Sequence, residues 1–239
     1  WYYYKIHTFV VIGVLLLAGT FIYQLATNKE SALYAVLISS DTYVTDEQTW
    51  DADFAEYAGI DTEEYNVIFD TSFIFSSNGF TDYTMSSMEK LVAMASAGMI
   101  DVVVADTATF EKLARSEFYL DLESALPKET LDRFRDCFYY TDAAAFDDGS
   151  DDTFLPLDEM PNPDEYTIDH HDPSAMEKPV LVGISLPEDS KIIAAGCYDY
   201  LKVNNTTYQG YPSEAVFGIP ATTEHLDTVI QFLDFLMEK

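Results

Sequence analysis

One stretch constrains the fold more than any other: Ser86 to Pro127, SSMEKLVAMASAGMIDVVVADTATFEKLARSEFYLDLESALP. Ser86 with Glu89 has capping-box spacing, in which a hydroxyl and a carboxylate three residues apart satisfy two orphan N–H groups. Met88, Leu91, Val92, Ala95 and Met99 then share one face at helical spacing. Gly98 is placed to stop that helix, because glycine takes the left-handed conformation at little steric cost. Ile100 to Val104 is a short apolar run rich in β-branched residues, suited to a strand covered on both faces. Asp106 or Thr107 can cap the next helix, from about Ala108 to Ser116. Phe110, Leu113 and Ala114 fall on its inner face, and Glu111 and Arg115 form an i,i+4 pair on its outer one. A strand between two helices predicts an α/β sheet.

The remaining chain adds elements to that sheet. Ser31 to Ser40 reads as a first strand. Trp50 to Tyr57 reads as a short helix ended by Gly59, with Trp50, Phe54 and Tyr57 inward. Tyr65 to Ser76 reads as a second strand bent near Asp70. Lys128 to Cys137 is predicted helical, with Leu131 and Phe134 inward. Val180 to Leu186 and Ala215 to Ile219 are predicted strands. Thr222 or Thr223 is placed to cap a last helix with Leu226, Val229, Ile230, Leu233 and Leu236 on its apolar stripe. No internal repeat is visible.

Ahead of the domain, Phe9 to Leu25 (FVVIGVLLLAGTFIYQL) carries no charge. With its flanks it approaches the ~20 residues that cross a bilayer as a helix. An uncleaved anchor is the expectation, and a cleaved signal peptide is the rival reading. The expected organisation is residues 1–28 as transmembrane anchor and flanks, 29–141 as an α/β lobe, 142–179 as an acidic irregular loop or small lobe, and 180–239 as the strands and helix that complete the domain.

Lys and Arg number 12 against 42 Asp and Glu, a net charge of −30. Such a field repels nucleic acid, so none is expected as a partner. Two cysteines, Cys137 and Cys197, set no metal framework; they pair in one disulfide or stay separate thiols. Asp147 to Asp152 bunches carboxylates around Gly149 without EF-hand order, and reads as a solvated loop before it reads as a calcium site. Asp169-His170-His171-Asp172 lacks the spacing of a zinc site. No nucleophile elbow, P-loop or dinucleotide fingerprint occurs. No cofactor, no metal and no enzymatic activity are expected.

The wording of Ala97–Gly98, Asp101–Asp106, Thr109–Ala114 and Leu120–Leu122, together with VFGIPATTEHLDTVIQFLDFL from Val216 to Leu236, resembles the extracellular solute-binding proteins of ABC importers with the type II periplasmic-binding-protein fold. The resemblance implies a mainly parallel sheet flanked by helices. It also implies non-covalent capture of a small-molecule solute, a membrane-embedded ABC permease as partner, and a single-pass protein held in the bilayer by residues 9–25 with its domain on the extracellular face. The chain departs from the family in having a reduced second lobe. In open α/β sheets, ligands gather beyond the carboxyl ends of the strands. The candidate ligand-binding residues are therefore Ser39, Ser40, Asp41 and Thr42 after the first strand, Ser76 and Asn78 after the second, and Asp106 and Thr107 after the third. The same residue types serve equally as caps and turns. The alternative function is a cell-surface interaction or accessory domain with no small ligand. A metal-dependent enzyme is a third and weaker class.

Overall fold

The computed structural model describes residues 2–27, 29–41, 50–75, 82–146, 168–203, 207–208 and 211–238. Among the described residues, eight strands form one six-stranded sheet and one two-stranded ribbon: β1 (Glu30–Leu37), β2 (Tyr65–Asp70), β3 (Val102–Asp106), β4 (Phe138–Asp142) and β5 (Pro179–Ser185), then β6 (Thr207–Tyr208) paired with β7 (Tyr211–Pro212), and β8 (Ala215–Gly218), which returns to the large sheet. The helices are α1 (Tyr2–Thr27), α2 (Trp50–Ala58), α3 (Asp82–Ser96), α4 (Thr107–Ala114), α5 (Leu122–Ala125), α6 (Lys128–Phe134), α7 (Lys191–Ala194), α8 (Asp199–Val203) and α9 (Leu226–Met237).

The six-stranded sheet has the order β2-β1-β3-β8-β5-β4. β1 runs parallel to β2 and β3, whereas β8 is antiparallel to both β3 and β5, and β4 is antiparallel to β5. The sheet is thus mixed, which corrects the expectation of a mainly parallel one. The cause is the late insertion of β8 between β3 and β5. Both sheet faces are covered. Alternate residues of one strand point to opposite faces, and the core divides accordingly. Ala35, Leu37, Val102, Val104 and Phe217 pack with Phe54 of α2, Ile192 of α7 and Phe232 and Leu236 of α9. Val36, Ile38, Val103, Ala105 and Val216 pack with Leu91 of α3 and with Phe110 and Leu113 of α4. The β-branched run fits this three-layer arrangement because it is apolar on both faces.

Several local expectations hold. Gly59 and Gly98 both have positive φ, at 67° and 68°, where their helices end. Asp106 caps α4, its Oδ1 accepting from Thr109 N at 3.1 Å. Others do not. α3 begins at Asp82, so Ser86 lies inside the helix instead of capping it. Met99 and Tyr57 are exposed. Glu111 is not on an outer face but buried, accepting from Thr141 Oγ1 at 3.1 Å. β4, at Phe138–Asp142, has no counterpart among the strands that the sequence pattern predicts. α9 has His225 at its N-cap without a side-chain cap bond, and Thr223 serves another acceptor.

That acceptor is Asp101, a buried carboxylate at the start of β3. Its Oδ2 accepts from Tyr34 N at 2.8 Å, and its Oδ1 accepts from Thr223 Oγ1 at 2.8 Å and faces His225 Nδ1 at 3.0 Å. One side chain therefore ties β1, β3 and the lead-in to α9.

The membrane anchor needs correction. Helix α1 presents Phe9 to Leu17 as exposed apolar side chains apart from the half-buried Gly13. Among the described residues, no helix is long and apolar enough to cross a membrane. The single-pass anchor, the bilayer contact through residues 9–25 and the extracellular, membrane-held placement built on them are withdrawn.

Candidate functional site

The sheet order places a switch point between β1 and β3. β1 leads to β2 on one side and to β3 on the other, and a crevice at such a point is where open α/β sheets take ligands. The register brings the ends of β1 and β3, the start of β8 and the end of β5 to the same edge: Leu37 pairs with Val104, Asp106 with Ala215, and Ser185 with Val216.

Ser39 leaves β1 with φ of 53°, a left-handed conformation unusual outside glycine. The strain is offset by bonds to the chain following β2. Ser39 N donates to Phe73 O at 2.8 Å, and Ser39 Oγ both accepts from Phe75 N at 2.9 Å and donates to Phe75 O at 3.2 Å. Ser39 is thus a turn-former whose hydroxyl is consumed. The turn sets Ser40 into the interior, 7% exposed, with an Oγ that has no hydrogen-bond partner among the described residues. Asp41 is half-buried, its N–H donating to Cys197 O at 2.7 Å.

On β3, Asp106 is occupied as the cap of α4: its Oδ2 also accepts from Thr109 Oγ1 at 2.9 Å. Thr107 is buried and closed against the residue before β8. Its N–H and hydroxyl donate to Glu214 O at 3.0 and 3.2 Å, and its Oγ1 accepts from Glu214 N at 3.0 Å. The candidate residues Thr42, Ser76 and Asn78 lie outside the described residues, as does the acidic cluster Asp147 to Asp152.

The C-terminal half supplies a second set of groups. Tyr198 is buried and donates its hydroxyl to Val104 O, midway along β3, at 2.9 Å. Tyr200 lies beside Asp106 and Asp41. Burial first, then the Asp106 and Asp41 charges, push its phenol well above the usual range, so it stays a neutral donor. Burial, aided by the Asp41 and Asp199 charges, pushes the Cys197 thiol up to about 11, which leaves it an inert thiol. Cys137 and Cys197 are free. Ser185 at the end of β5, Ser190 before α7 and Ser213 before β8 each hold a buried Oγ with no hydrogen-bond partner among the described residues. Ser185 obeys the strand-end rule used for β1 to β3 and was legible on that basis. Tyr198, Tyr200 and Ser213 carry no local signal, since their position depends on β8 crossing back into the sheet.

The His170–His171 pair does structural work. His170 is buried, stacks on Tyr139 with ring centroids 4.5 Å apart, and directs Nδ1 to Tyr140 O at 2.8 Å and Glu111 Oε1 at 3.5 Å. Burial raises the Glu111 carboxyl above its ordinary range despite His170 and Thr141. His171 sets Nδ1 on Phe138 O at 2.8 Å and Nε2 on Glu214 Oε1 at 2.9 Å. Both acceptors favour the imidazolium, and Glu214 above all raises its pKa. Asp169 and Asp172 accept from His171 N and Ser174 N, as turn-formers. Among the described residues, no three His, Cys, Asp or Glu side chains gather as a metal site.

Among the described residues, this edge thus carries hydroxyls without hydrogen-bond partners, with Tyr200 beside the Asp41 and Asp106 carboxylates. No family model, no curated protein and no solved structure matches this chain.

Proposed function

We propose that this domain captures a small, hydroxyl-rich or cationic solute, without chemical turnover, at the carboxyl edge between β1 and β3. The observation that carries the reading is the set of buried hydroxyls lacking partners among the described residues, above all Ser40, which adjoins Asp41, whose charge reaches Tyr200. A buried polar atom without a partner costs about 1–3 kcal/mol, and a ligand that supplies the missing bond recovers it. Carboxylates accept from hydroxyls or pair with ammonium groups, which sets the solute class. Hand-over to a membrane-embedded ABC permease is the use that the solute-binding resemblance implies for such a site.

The test is a thermal-shift screen of sugars, polyols, polyamines and amino acids against the whole chain, followed by Ser40→Ala. A ligand at ~100-fold excess over its Kd adds ~2.7 kcal/mol, a shift of several degrees. Ser40→Ala removes an unsatisfied hydroxyl. It is expected to hold or raise the melting temperature of the free protein while reducing the ligand shift. A screen without any shift refutes the reading. In that case the interaction-domain alternative takes its place.

A further inference from the structure

A cavity of about 420 Å3 opens at the other end of the same sheet, where α5 and α6 meet the edge strand β4. Its size lies within the range of small-molecule sites. Leu131, Phe138, Tyr140 and Pro173 form the apolar part of its wall. The Phe138 and Tyr140 rings stand edge to face with centroids 6.1 Å apart, so one ring face is offered beside another's edge. The polar part holds the His171 ring, already engaged by Glu214, and charges of both signs: Lys128 and Arg135 against Glu123 and Asp132.

These four charges are not equally committed. Arg135 Nη2 already holds Asp132 Oδ1 at 2.6 Å. The side chains of Lys128 and Glu123 are exposed and make no hydrogen bond or ion pair with any described residue. Two of only 12 Lys and Arg residues in a chain of net charge −30 thus line one cavity. The surrounding field disfavours a net anion. A zwitterion carries no net charge and meets no such barrier, yet it satisfies a free cation and a free carboxylate together.

We propose that this cavity binds a zwitterion bearing a flat ring, the chemistry of an aromatic α-amino acid. The ring packs on Phe138 and Tyr140, the carboxylate meets Lys128, and the ammonium meets Glu123. The site is independent of the hydroxyl cluster at Ser40, from which it is separated by the width of β3, β8 and β5.

The experiment is isothermal titration of the whole chain with L-phenylalanine, with phenylacetate, which lacks the ammonium, and with phenethylamine, which lacks the carboxylate. L-Phenylalanine is expected to bind best, and each single-charge analogue about tenfold more weakly. Lys128→Gln is expected to weaken L-phenylalanine about tenfold and leave phenethylamine unchanged; Glu123→Gln is expected to do the converse with phenylacetate. Both positions are exposed, so the fold is retained, and far-ultraviolet circular dichroism verifies it. Ser40→Ala is expected to change none of these affinities, which keeps this site distinct from the solute site proposed above. Absence of heat up to about 10 mM L-phenylalanine overturns the proposal. So does affinity that survives both charge substitutions or is lost in Ser40→Ala.

Discussion

Replacing Asp101 tests the tie between β1, β3 and α9. The carboxylate is 1% exposed and receives Tyr34 N–H, Thr223 O–H and the His225 ring at 2.8, 2.8 and 3.0 Å. Asp101→Ala leaves all three without their acceptor. His225 is partly exposed and regains water, so it contributes little. The Tyr34 N–H and Thr223 hydroxyl are less accessible, and each lost bond to a charged acceptor is worth ~1.5–3 kcal/mol. The total is about 3–6 kcal/mol, a large share of the ~5–15 kcal/mol that holds a domain folded. Asp101→Asn has the same shape but only one acceptor oxygen. If that oxygen keeps Thr223 and His225, its amide NH2 faces the Tyr34 N–H, donor against donor, and costs about 2–3 kcal/mol. At ~2–4 °C per kcal/mol for a domain of this size, Asn is expected to lower the melting temperature by about 4–12 °C and Ala by more. Circular dichroism melts and urea titrations measure both. A drop below about 2 °C in Asp101→Ala, or Asn proving worse than Ala, refutes the account of Asp101 as a shared acceptor.

Three further outcomes follow from the packing and the charges. A Cβ on Gly218 would lie 2.5 Å from Tyr119 Cε1 and 2.6 Å from Phe110 Cε2, inside a stack whose centroids are 4.2 Å apart; Gly218→Ala should cost ~1–3 kcal/mol in urea unfolding, and an unchanged midpoint would mean the stack yields freely. Val103 is fully buried on the sheet face covered by α3 and α4; Val103→Asp should leave the protein unfolded or insoluble, while Val103→Ile should cost under ~1.5 kcal/mol, and a folded Asp variant would remove β3 from the centre of the core. His171 has a folded pKa above its unfolded value because of Glu214, so its stabilisation is complete below about pH 6.5 and disappears as pH rises through the folded value; His171→Gln should remove that part of the pH dependence of the melting temperature, and identical profiles for both proteins would rule out the imidazolium.

The sequence carries much of the fold where structure is local. Gly98 and Gly59 stop helices because only a left-handed residue fits there, and Asp106 caps α4 because its side chain reaches Thr109 N–H within one turn. Strand direction is not local. The residues of β8 read the same whichever way they run, and the antiparallel insertion depends on where β3 and β5 already lie. Glu111 sits on what helical spacing marks as an outer face, and only the neighbouring β4 with Thr141 and His170 makes that face interior. β4 itself, Phe-Tyr-Tyr-Thr-Asp, follows a helix directly and lacks the turn residues that announce a strand. At the candidate site, the strand-end rule located Ser40 and Asp41 but could not show that Thr107 and Asp106 are committed to Glu214 and Thr109. Tyr198 and Tyr200 reach the site from a segment almost a hundred residues beyond β3 in the chain, with no pattern to mark them.

The position of β8 governs how the chain must be assembled. Among the described strands, β2-β1-β3 and β5-β4 are joined in the sheet only through this one, the last of the six to be synthesised. Until residue 215 emerges from the ribosome, β3 and β5 each present a bare hydrogen-bonding edge, and the two half-sheets have no shared backbone ladder. Such edges recruit other strands. A product cut short before β8 is therefore not a slightly trimmed domain but two sticky halves, and its fate is aggregation or degradation. Cellular quality control would see the difference between residue 210 and residue 220 as the difference between a hazard and a folded protein.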